Sequence, residues 1–142
     1  MAGSVVACPS CGTKSRVRAG APGLPRCPSC KTYLPWLVEA DDAGFEAEAG
    51  APVPVLVDLW APWCGPCHAV APVLERLAAR HAGRLKVVKV NVDESPALAS
   101  RFDASSIPLL VVLRNGDAVE RILGAQPLPA LEARLAPYLA PG

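Results

Sequence analysis

The sequence has few aromatic residues, no long apolar run and no acidic residue before Glu39. Aromatic residues make up 5% of the 142-residue chain. No segment approaches the roughly eighteen uninterrupted apolar residues that a membrane span needs, so we expect no membrane segment. The stretch before Cys8 also lacks the apolar region of a secretory signal, and we therefore expect a chain that stays in a reducing cytoplasm.

The charges are unevenly placed, although the formal net charge is only +1. The first 38 residues contain five cations and none of the 13 acidic residues. This asymmetry predicts two units with different surfaces, a small domain over residues 1–35 and a larger one over residues 36–142. It is too small to indicate nucleic-acid binding. The five cations are Lys14, Arg16, Arg18, Arg26 and Lys31.

Four of the six cysteines lie in residues 1–35, which we call the leader. They form two C-x-x-C pairs, Cys8 with Cys11 and Cys27 with Cys30. The connector 12–26 is rich in glycine and proline, which predicts turns and excludes a long helix. A leader of about thirty residues with few large apolar side chains cannot fold by burial alone. Two pairs at this spacing are typical of one structural Zn²⁺, which would supply the missing folding energy. A second redox-active dithiol, or another metal, is the alternative.

From residue 36 onward, apolar runs of strand length alternate with amphipathic stretches of helix length. Asp41 or Asp42 should cap the first helix, the third helix should also be capped, and Asn115-Gly116 predicts a hairpin between the last two strands. The order implies an α/β fold, a mixed sheet with helices on both faces. The predicted strands are 36–40, 53–60, 85–92, 109–113 and 118–123, and the predicted helices are 42–49, 64 or 66 to 81, 95–102 and 128–139.

The remaining cysteines, Cys64 and Cys67, stand where the apolar run 53–60 gives way to a helix. Cysteines three residues apart lie on the same side of a first helical turn, close enough to form a disulfide. Unpaired N–H groups and the helix dipole favour a thiolate at the first position. We therefore predict that Cys64 attacks the disulfide of a partner protein. Cys67, deeper in the helix, would then attack Cys64 and resolve the mixed disulfide. Gly65-Pro66 between them adds no cation, which favours a reductase over a strong oxidant.

Asp58 is a lone carboxylate inside the same apolar run. Burial should raise its pKa, so that it can act as general base for Cys67. The alternative is a carboxylate that hydrogen-bonds backbone groups. Trp60 is expected to pack in the core and to shield Asp58, whereas Trp63 is expected on the surface where a partner docks.

The residues around the dithiol resemble the thioredoxin family over about residues 36–139. The shared motifs are VDLWAPWCGPC at 57–67, Pro72, KVNVD at 89–93, SIP at 106–108, Asn115-Gly116 and Gly124. With the leader included, the chain is similar to the bacterial thioredoxins that carry an N-terminal zinc ribbon. The resemblance implies a thioredoxin fold and a cytoplasmic disulfide reductase acting in electron transport and cell redox homeostasis. Its implied partners are thioredoxin reductase, which recharges it with NADPH, and disulfide-containing client proteins, and we expect a monomer.

The resemblance also implies a docking surface. Pro108 is expected to be a cis proline beside the dithiol, although Ile107-Pro108 could also begin an ordinary strand. The Ile107 backbone would pair with an extended substrate chain, and the small residues Gly124 and Ala125 would leave room for that chain. His68 stands where many family members carry Lys or Arg. It could tune the thiols, but we interpret it as a solvated surface residue.

A competing hypothesis is a binding or sensing module on the same scaffold. In that hypothesis, oxidation releases zinc from the ribbon and changes which partner docks. An oxidase or isomerase role is disfavoured by Gly65-Pro66 and by the expected absence of export.

Overall fold

The computed structural model describes residues 4–17 and 23–139 of the chain. Its elements follow the predicted order from residue 36 onward, and a hairpin is added in the leader. The strands are β1 (Ser4–Ala7), β2 (Lys14–Val17), β3 (Leu37–Glu39), β4 (Val55–Trp60), β5 (Lys86–Asn91), β6 (Leu109–Arg114) and β7 (Asp117–Leu123). The helices are α1 (Phe45–Ala49), α2 (Gly65–Arg80), α3 (Pro96–Arg101) and α4 (Leu128–Leu135).

The main sheet has five strands in the order β3-β5-β4-β6-β7. Strands β3, β5 and β4 are parallel, whereas β6 is antiparallel to β4 and β7 is antiparallel to β6. The prediction of a mixed sheet with helices on both faces is therefore confirmed. Helix α4 ends four residues earlier than predicted, because Pro137 cannot continue the hydrogen-bonding pattern of a helix. No helix in the described part of the chain is long and apolar enough to span a membrane.

Two apolar clusters hold the helices against the sheet, one on each face. On one face, α2 and α4 pack over alternate residues of the central strands through Val70, Leu74, Leu77, Leu131 and Leu135. On the other face, α1 and α3 pack through Phe45, Leu98 and Phe102. Because side chains alternate along a strand, β4 sends Leu56 to the α2 face and Val57 to the α1 face. The strand that leads to the dithiol is thus buried on both sides.

The caps of the short helices differ in part from the prediction. The N-cap of α1 is Gly44, with no capping side chain, and the Asp41 carboxylate only accepts the N–H of this cap residue at 2.9 Å. Asp42 instead caps α3, where its two carboxylate oxygens accept the N–H groups of Ala97 at 3.0 Å and Leu98 at 2.9 Å. Helix α3 therefore takes its cap from another part of the chain, which the local sequence does not reveal. The predicted hairpin is confirmed, since Asn115 and Gly116 both have positive φ angles, 53° and 84°.

The leader contains a strand that the sequence analysis assigned to a turn-rich connector. Strand β2 lies within that connector and pairs antiparallel with β1. Residues 18–22, also part of the predicted connector, lie outside the described residues. Val17 and Cys27 are buried in the same cluster as Leu34 and Trp36, so the leader gains burial by packing against the rest of the chain.

The leader joins the main sheet at the N-terminal ends of its parallel strands. Trp36 precedes β3, and its carbonyl accepts the Val87 N–H at 2.8 Å. The ammonium of Lys86, at the start of β5, lies 4.3 Å from the centre of the Trp36 ring and 2.8 Å from a carboxylate oxygen of buried Glu48. The dithiol follows the C-terminal end of β4, so it lies at the opposite end of the sheet from this junction.

We expect Gly83→Ala to disrupt the packing of the leader. Gly83 has a φ of +85°, and a Cβ there would lie 2.6 Å from Cδ2 of the Tyr33 ring. Strain and overlap together should lower the free energy of unfolding by about 2–4 kcal/mol in urea denaturation. Gly50→Ala is the matched control, because its Cβ would only touch the Glu46 carbonyl oxygen at 3.6 Å. Equal losses in the two variants would contradict this account.

Candidate active site

The dithiol is positioned by the turn from β4 into α2. Pro62 lies in the loop after β4, and the Cys64 N–H donates to the Ala61 carbonyl at 3.1 Å. Cys64 is the N-cap of α2, and its sulfur accepts the Cys67 N–H at 3.2 Å. Pro66 fits the first helical turn because an N–H there has no partner within the helix. The backbone thus delivers an N–H group to the first sulfur, as the sequence predicts.

Cys64 and Cys67 form a disulfide in this structure, with their Cα atoms 5.2 Å apart. Cys64 is 5% exposed and Cys67 is 2% exposed. Both sulfurs are packed in a small cluster with Ala61, Trp60 and Ile107. The prediction that these two cysteines can join is confirmed, and the structure corresponds to the oxidised form of the dithiol.

Asp58 lies in the middle of β4 and is fully buried. It follows Leu56 by two residues, so it points to the same face of the sheet, the face that α2 covers. Neither carboxylate oxygen has a hydrogen-bond partner among the described residues. Burial raises the pKa of Asp58 to about 6, and the nearby Lys89 ammonium opposes that rise. The alternative of a carboxylate bonded to backbone groups does not match this arrangement.

Lys89 belongs to the site, although the sequence analysis gave it no role. It is the β5 residue in register with Asp58, and it follows Val87, which packs on the α2 face, by two residues. Its ammonium lies 5.1 Å from the centre of the Trp60 ring. The strand alternation that predicts a buried Asp58 could have placed Lys89 beside it, once the pairing of β4 with β5 was known.

The loop before β6 closes over the dithiol. The Ile107–Pro108 peptide bond is cis, as expected, and the Ile107 carbonyl oxygen lies 3.8 Å from Cys64 Sγ. The Pro108 carbonyl accepts the Gly124 N–H at 2.9 Å. Gly124 has a φ of +83°, a conformation that favours glycine. The structure therefore brings Ile107 and Gly124 to Pro108, and Ala125 follows as an exposed residue.

Trp63 is the most prominent apolar group at the site, with 70% of its surface exposed. Its indole N–H donates to the carboxylate of Asp93, whose oxygens lie 3.0 and 3.3 Å away. The ring is thereby held in one place while its face stays open to solvent. Asp93 follows β5 and was not assigned a role from the sequence, because nothing local links it to Trp63. Gly65 and Pro66, between the two cysteines, are also exposed.

The four leader cysteines converge on one point, with all their sulfur atoms within 4.8 Å of one another. The Cys8 and Cys30 sulfurs are 3.5 Å apart, and those of Cys11 and Cys27 are 3.6 Å apart. Tetrahedral zinc with Zn–S bonds of about 2.3 Å requires sulfur separations of about 3.8 Å. The donor set and the spacing therefore fit a four-thiolate metal site.

The two cysteine turns have the same backbone design. The Cys8 N–H donates to the Thr13 carbonyl at 2.9 Å, and the Cys27 N–H donates to the Thr32 carbonyl at 2.8 Å. A residue with positive φ follows each pair, Gly12 at 78° in the first turn and a lysine at 67° in the second. Each turn presents one buried and one exposed sulfur. The leader is thus a pseudo-symmetric pair of cysteine turns.

Comparison with known proteins covers the part of the chain after the leader. A family model described as Thioredoxin matches residues 36–137. Thioredoxin 1 of Nostoc sp. is 45% identical over 102 residues, which cover 71% of this chain and 95% of that protein. Thioredoxin of Alicyclobacillus acidocaldarius is 48% identical over 98 residues, 69% of this chain and 93% of that protein. A chloroplastic M-type thioredoxin of Spinacia oleracea is 45% identical over 89 residues, 63% of this chain and 49% of that protein.

Asp58→Asn should stabilise the oxidised protein at pH 8 but not at pH 4. The folded-state pKa of about 6 lies above the ordinary value of 3.8, so the folded chain binds more protons than the unfolded chain between these values. Stability therefore falls as the pH rises through this window, and the aspartate costs up to about 3 kcal/mol above it. Urea unfolding at the two pH values measures the difference. A gain that is the same at both would show that ionisation is not its cause.

Proposed function

Because the chain belongs to the thioredoxin family and is a protein-disulfide reductase, we propose that NADPH recharges its dithiol through thioredoxin reductase. The observation that carries the proposal is the Cys64–Cys67 disulfide at the start of α2, beneath a cis proline. This disulfide is the state in which each client leaves the protein, and it must be reduced again before the next turnover. The match to proteins named thioredoxin over almost their full length supports the same electron source.

In the proposed cycle, the reduced Cys64 thiolate attacks one sulfur of a client disulfide. That S–S bond breaks, a mixed disulfide forms, and the second client sulfur leaves as a thiolate that takes up a proton. Cys67 then loses its proton and attacks the Cys64 sulfur, which breaks the mixed disulfide. The client leaves with two thiols, and the Cys64–Cys67 disulfide remains. The greater burial of Cys67 supports its assignment to the second step, because a client reaches Cys64 more easily.

We assign Asp58 the role of general base for Cys67. Its pKa of about 6 lets it accept a proton near neutral pH, which an ordinary exposed aspartate does poorly. Its position on the face that α2 covers supports the assignment, since Cys67 lies in the first turn of that helix. Lys89 beside it would stabilise the carboxylate before the proton arrives.

The docking surface is proposed to surround the Cys64 sulfur. Trp63 offers an exposed apolar ring, and Ile107 next to cis Pro108 offers backbone groups to an extended client chain. Gly124 and Ala125 are assigned the opposite wall, where small side chains leave room. Gly65 and Pro66 would complete the surface between the two cysteines.

We propose that the leader holds one structural Zn²⁺ through Cys8, Cys11, Cys27 and Cys30. The sulfur spacing and the paired cysteine turns support this assignment. When bound, the ion would contribute folding energy to a segment with little apolar surface of its own. The division into a ribbon over residues 1–35 and a thioredoxin domain over residues 36–142 remains a prediction.

The sensing hypothesis, in which the ribbon changes partner choice when it loses zinc, remains the second candidate. The position of the leader at the far end of the parallel strands favours a role separate from the exchange chemistry at Cys64. We further propose a cytoplasmic location, because four cysteines grouped as metal ligands are typical of a reducing compartment. A monomer is proposed only because the family resemblance implies one.

The first experiment follows NADPH consumption with thioredoxin reductase and insulin as the disulfide substrate. Wild-type chain should give rapid turnover, and Cys64→Ser should lose it because the attacking sulfur is absent. Asp58→Asn should retain the first attack but accumulate mixed disulfide, seen as a client adduct in non-reducing electrophoresis. Turnover with dithiothreitol but none with thioredoxin reductase would reject the proposed electron source alone. Turnover that is unchanged in Asp58→Asn would remove this residue from the mechanism.

Metal removal tests the ribbon. The purified full chain should contain one zinc per molecule, and Cys27→Ser should lose it, whereas Cys64→Ser should keep it. Chelation of the full chain should lower its thermal stability but leave insulin reduction within about twofold, because the leader and the dithiol occupy opposite ends. Absence of zinc from wild-type protein would refute the site. A large change in client preference on chelation would support the sensing hypothesis instead.

A further inference from the structure

His68 is exposed on the surface, yet its imidazole makes two specific contacts. Its Nε2 atom lies 2.6 Å from the carbonyl oxygen of Pro62. A carbonyl oxygen can only accept a hydrogen bond, so this nitrogen must carry the proton and donate. On its other side, the imidazole meets the Trp60 ring edge to face, with ring centres 6.1 Å apart and planes at 76°. The imidazole therefore contacts both the Pro62 loop and the half-buried Trp60 ring.

The loop that His68 contacts is the one that presents the reacting sulfur. Residues 61–64 connect β4 to α2, and Trp63 stands directly before Cys64 in this loop. Two backbone hydrogen bonds tie this turn together, from the Cys64 N–H to Ala61 and from the His68 N–H to Cys64 at 3.3 Å. Neither involves the Pro62 carbonyl, and proline has no N–H of its own. Among the described residues, the Pro62 carbonyl thus takes its hydrogen bond from the His68 ring and not from a backbone N–H of the loop.

We propose that His68 is a positioning residue for disulfide exchange. Its imidazole N–H holds the Pro62 carbonyl, and so fixes the loop that presents Trp63 and the Cys64 sulfur to a client protein. The inference rests on the reductase activity of this dithiol and names a group that supports it from outside the reacting atoms. Because Nε2 already donates to a carbonyl, it takes no proton from either cysteine. His68 therefore acts through the loop, and it does so as the exposed surface residue that the sequence analysis expects.

The role predicts a difference between large and small substrates. A protein client contacts the loop and Trp63. A small aromatic disulfide such as dithiobis(nitrobenzoate) needs to reach only the Cys64 sulfur. Loss of one hydrogen bond should lower kcat/KM for insulin by about threefold to tenfold. The rate at which pre-reduced chain, freed of dithiothreitol, cleaves dithiobis(nitrobenzoate) should change by less than about twofold, since the sulfur keeps its place at the helix N-terminus.

The test compares His68→Leu with His68→Gln in the full chain, with dithiothreitol as electron donor for insulin and with pre-reduced chain alone for the small disulfide. Leucine removes the donor, whereas the amide nitrogen of glutamine can occupy the place of Nε2 and donates without ever becoming charged. We expect the insulin loss in His68→Leu and rescue to within about twofold in His68→Gln. Arg76→Leu is the matched control, because it adds the same apolar side chain to an exposed position two turns further along α2.

Two results would overturn the proposal. Full insulin activity in His68→Leu would show that the loop needs no such tie. Equal losses in His68→Leu and His68→Gln would show that the charge or shape of the imidazole matters, and not its hydrogen bond. Because wild-type chain is measured in the same assay, absence of wild-type turnover would count against the reductase function itself and would be distinguished from both results.

Discussion

The site depends on the burial of a single strand, β4, on both faces and along both edges. Parallel β5 pairs with one edge over residues 55–60 and antiparallel β6 with the other over residues 55–59, so the register of the strand is fixed on both sides. The strand cannot shift by one residue without turning its apolar side chains to the wrong layer. The turn at its end, and with it the first residue of α2, is therefore held in place. The position of Cys64 therefore follows from the fixed register and burial of β4.

The same burial sets a conflict between stability and chemistry at Asp58. A carboxyl group in an apolar layer is unfavourable once it ionises, and no described group donates a hydrogen bond to it. An apolar residue would fit the strand pattern better. The group acquires in exchange a pKa near neutrality, which a proton acceptor for a buried thiol requires. Asp58 departs from the apolar composition of a buried strand because the reaction needs a proton acceptor at this position.

Much of the fold could be predicted from local pattern, because each strand and helix after residue 36 has its own periodicity and its own stop signal. The dithiol and the four-cysteine leader could be predicted as well, since short cysteine spacings have few physical uses. Contacts between distant segments could not. Asp42 reaches across to cap α3, and Asp93 reaches the Trp63 indole, yet neither pairing leaves a local trace. Strand β2 was missed because its alternation covers only four residues beside a glycine-rich stretch.

The cysteine turns of the leader and the dithiol lie at opposite ends of the parallel strands, which has a consequence for assembly. A protein that bound the cysteine turns of the leader would leave the Cys64 sulfur at the other end uncovered. A client could then dock at Cys64 while the first protein stays bound. Binding of this kind would raise the effective concentration of the dithiol around the disulfides of the bound protein and of its own partners. Disulfides would then be selected by proximity as well as by the fit of a client chain beside Trp63.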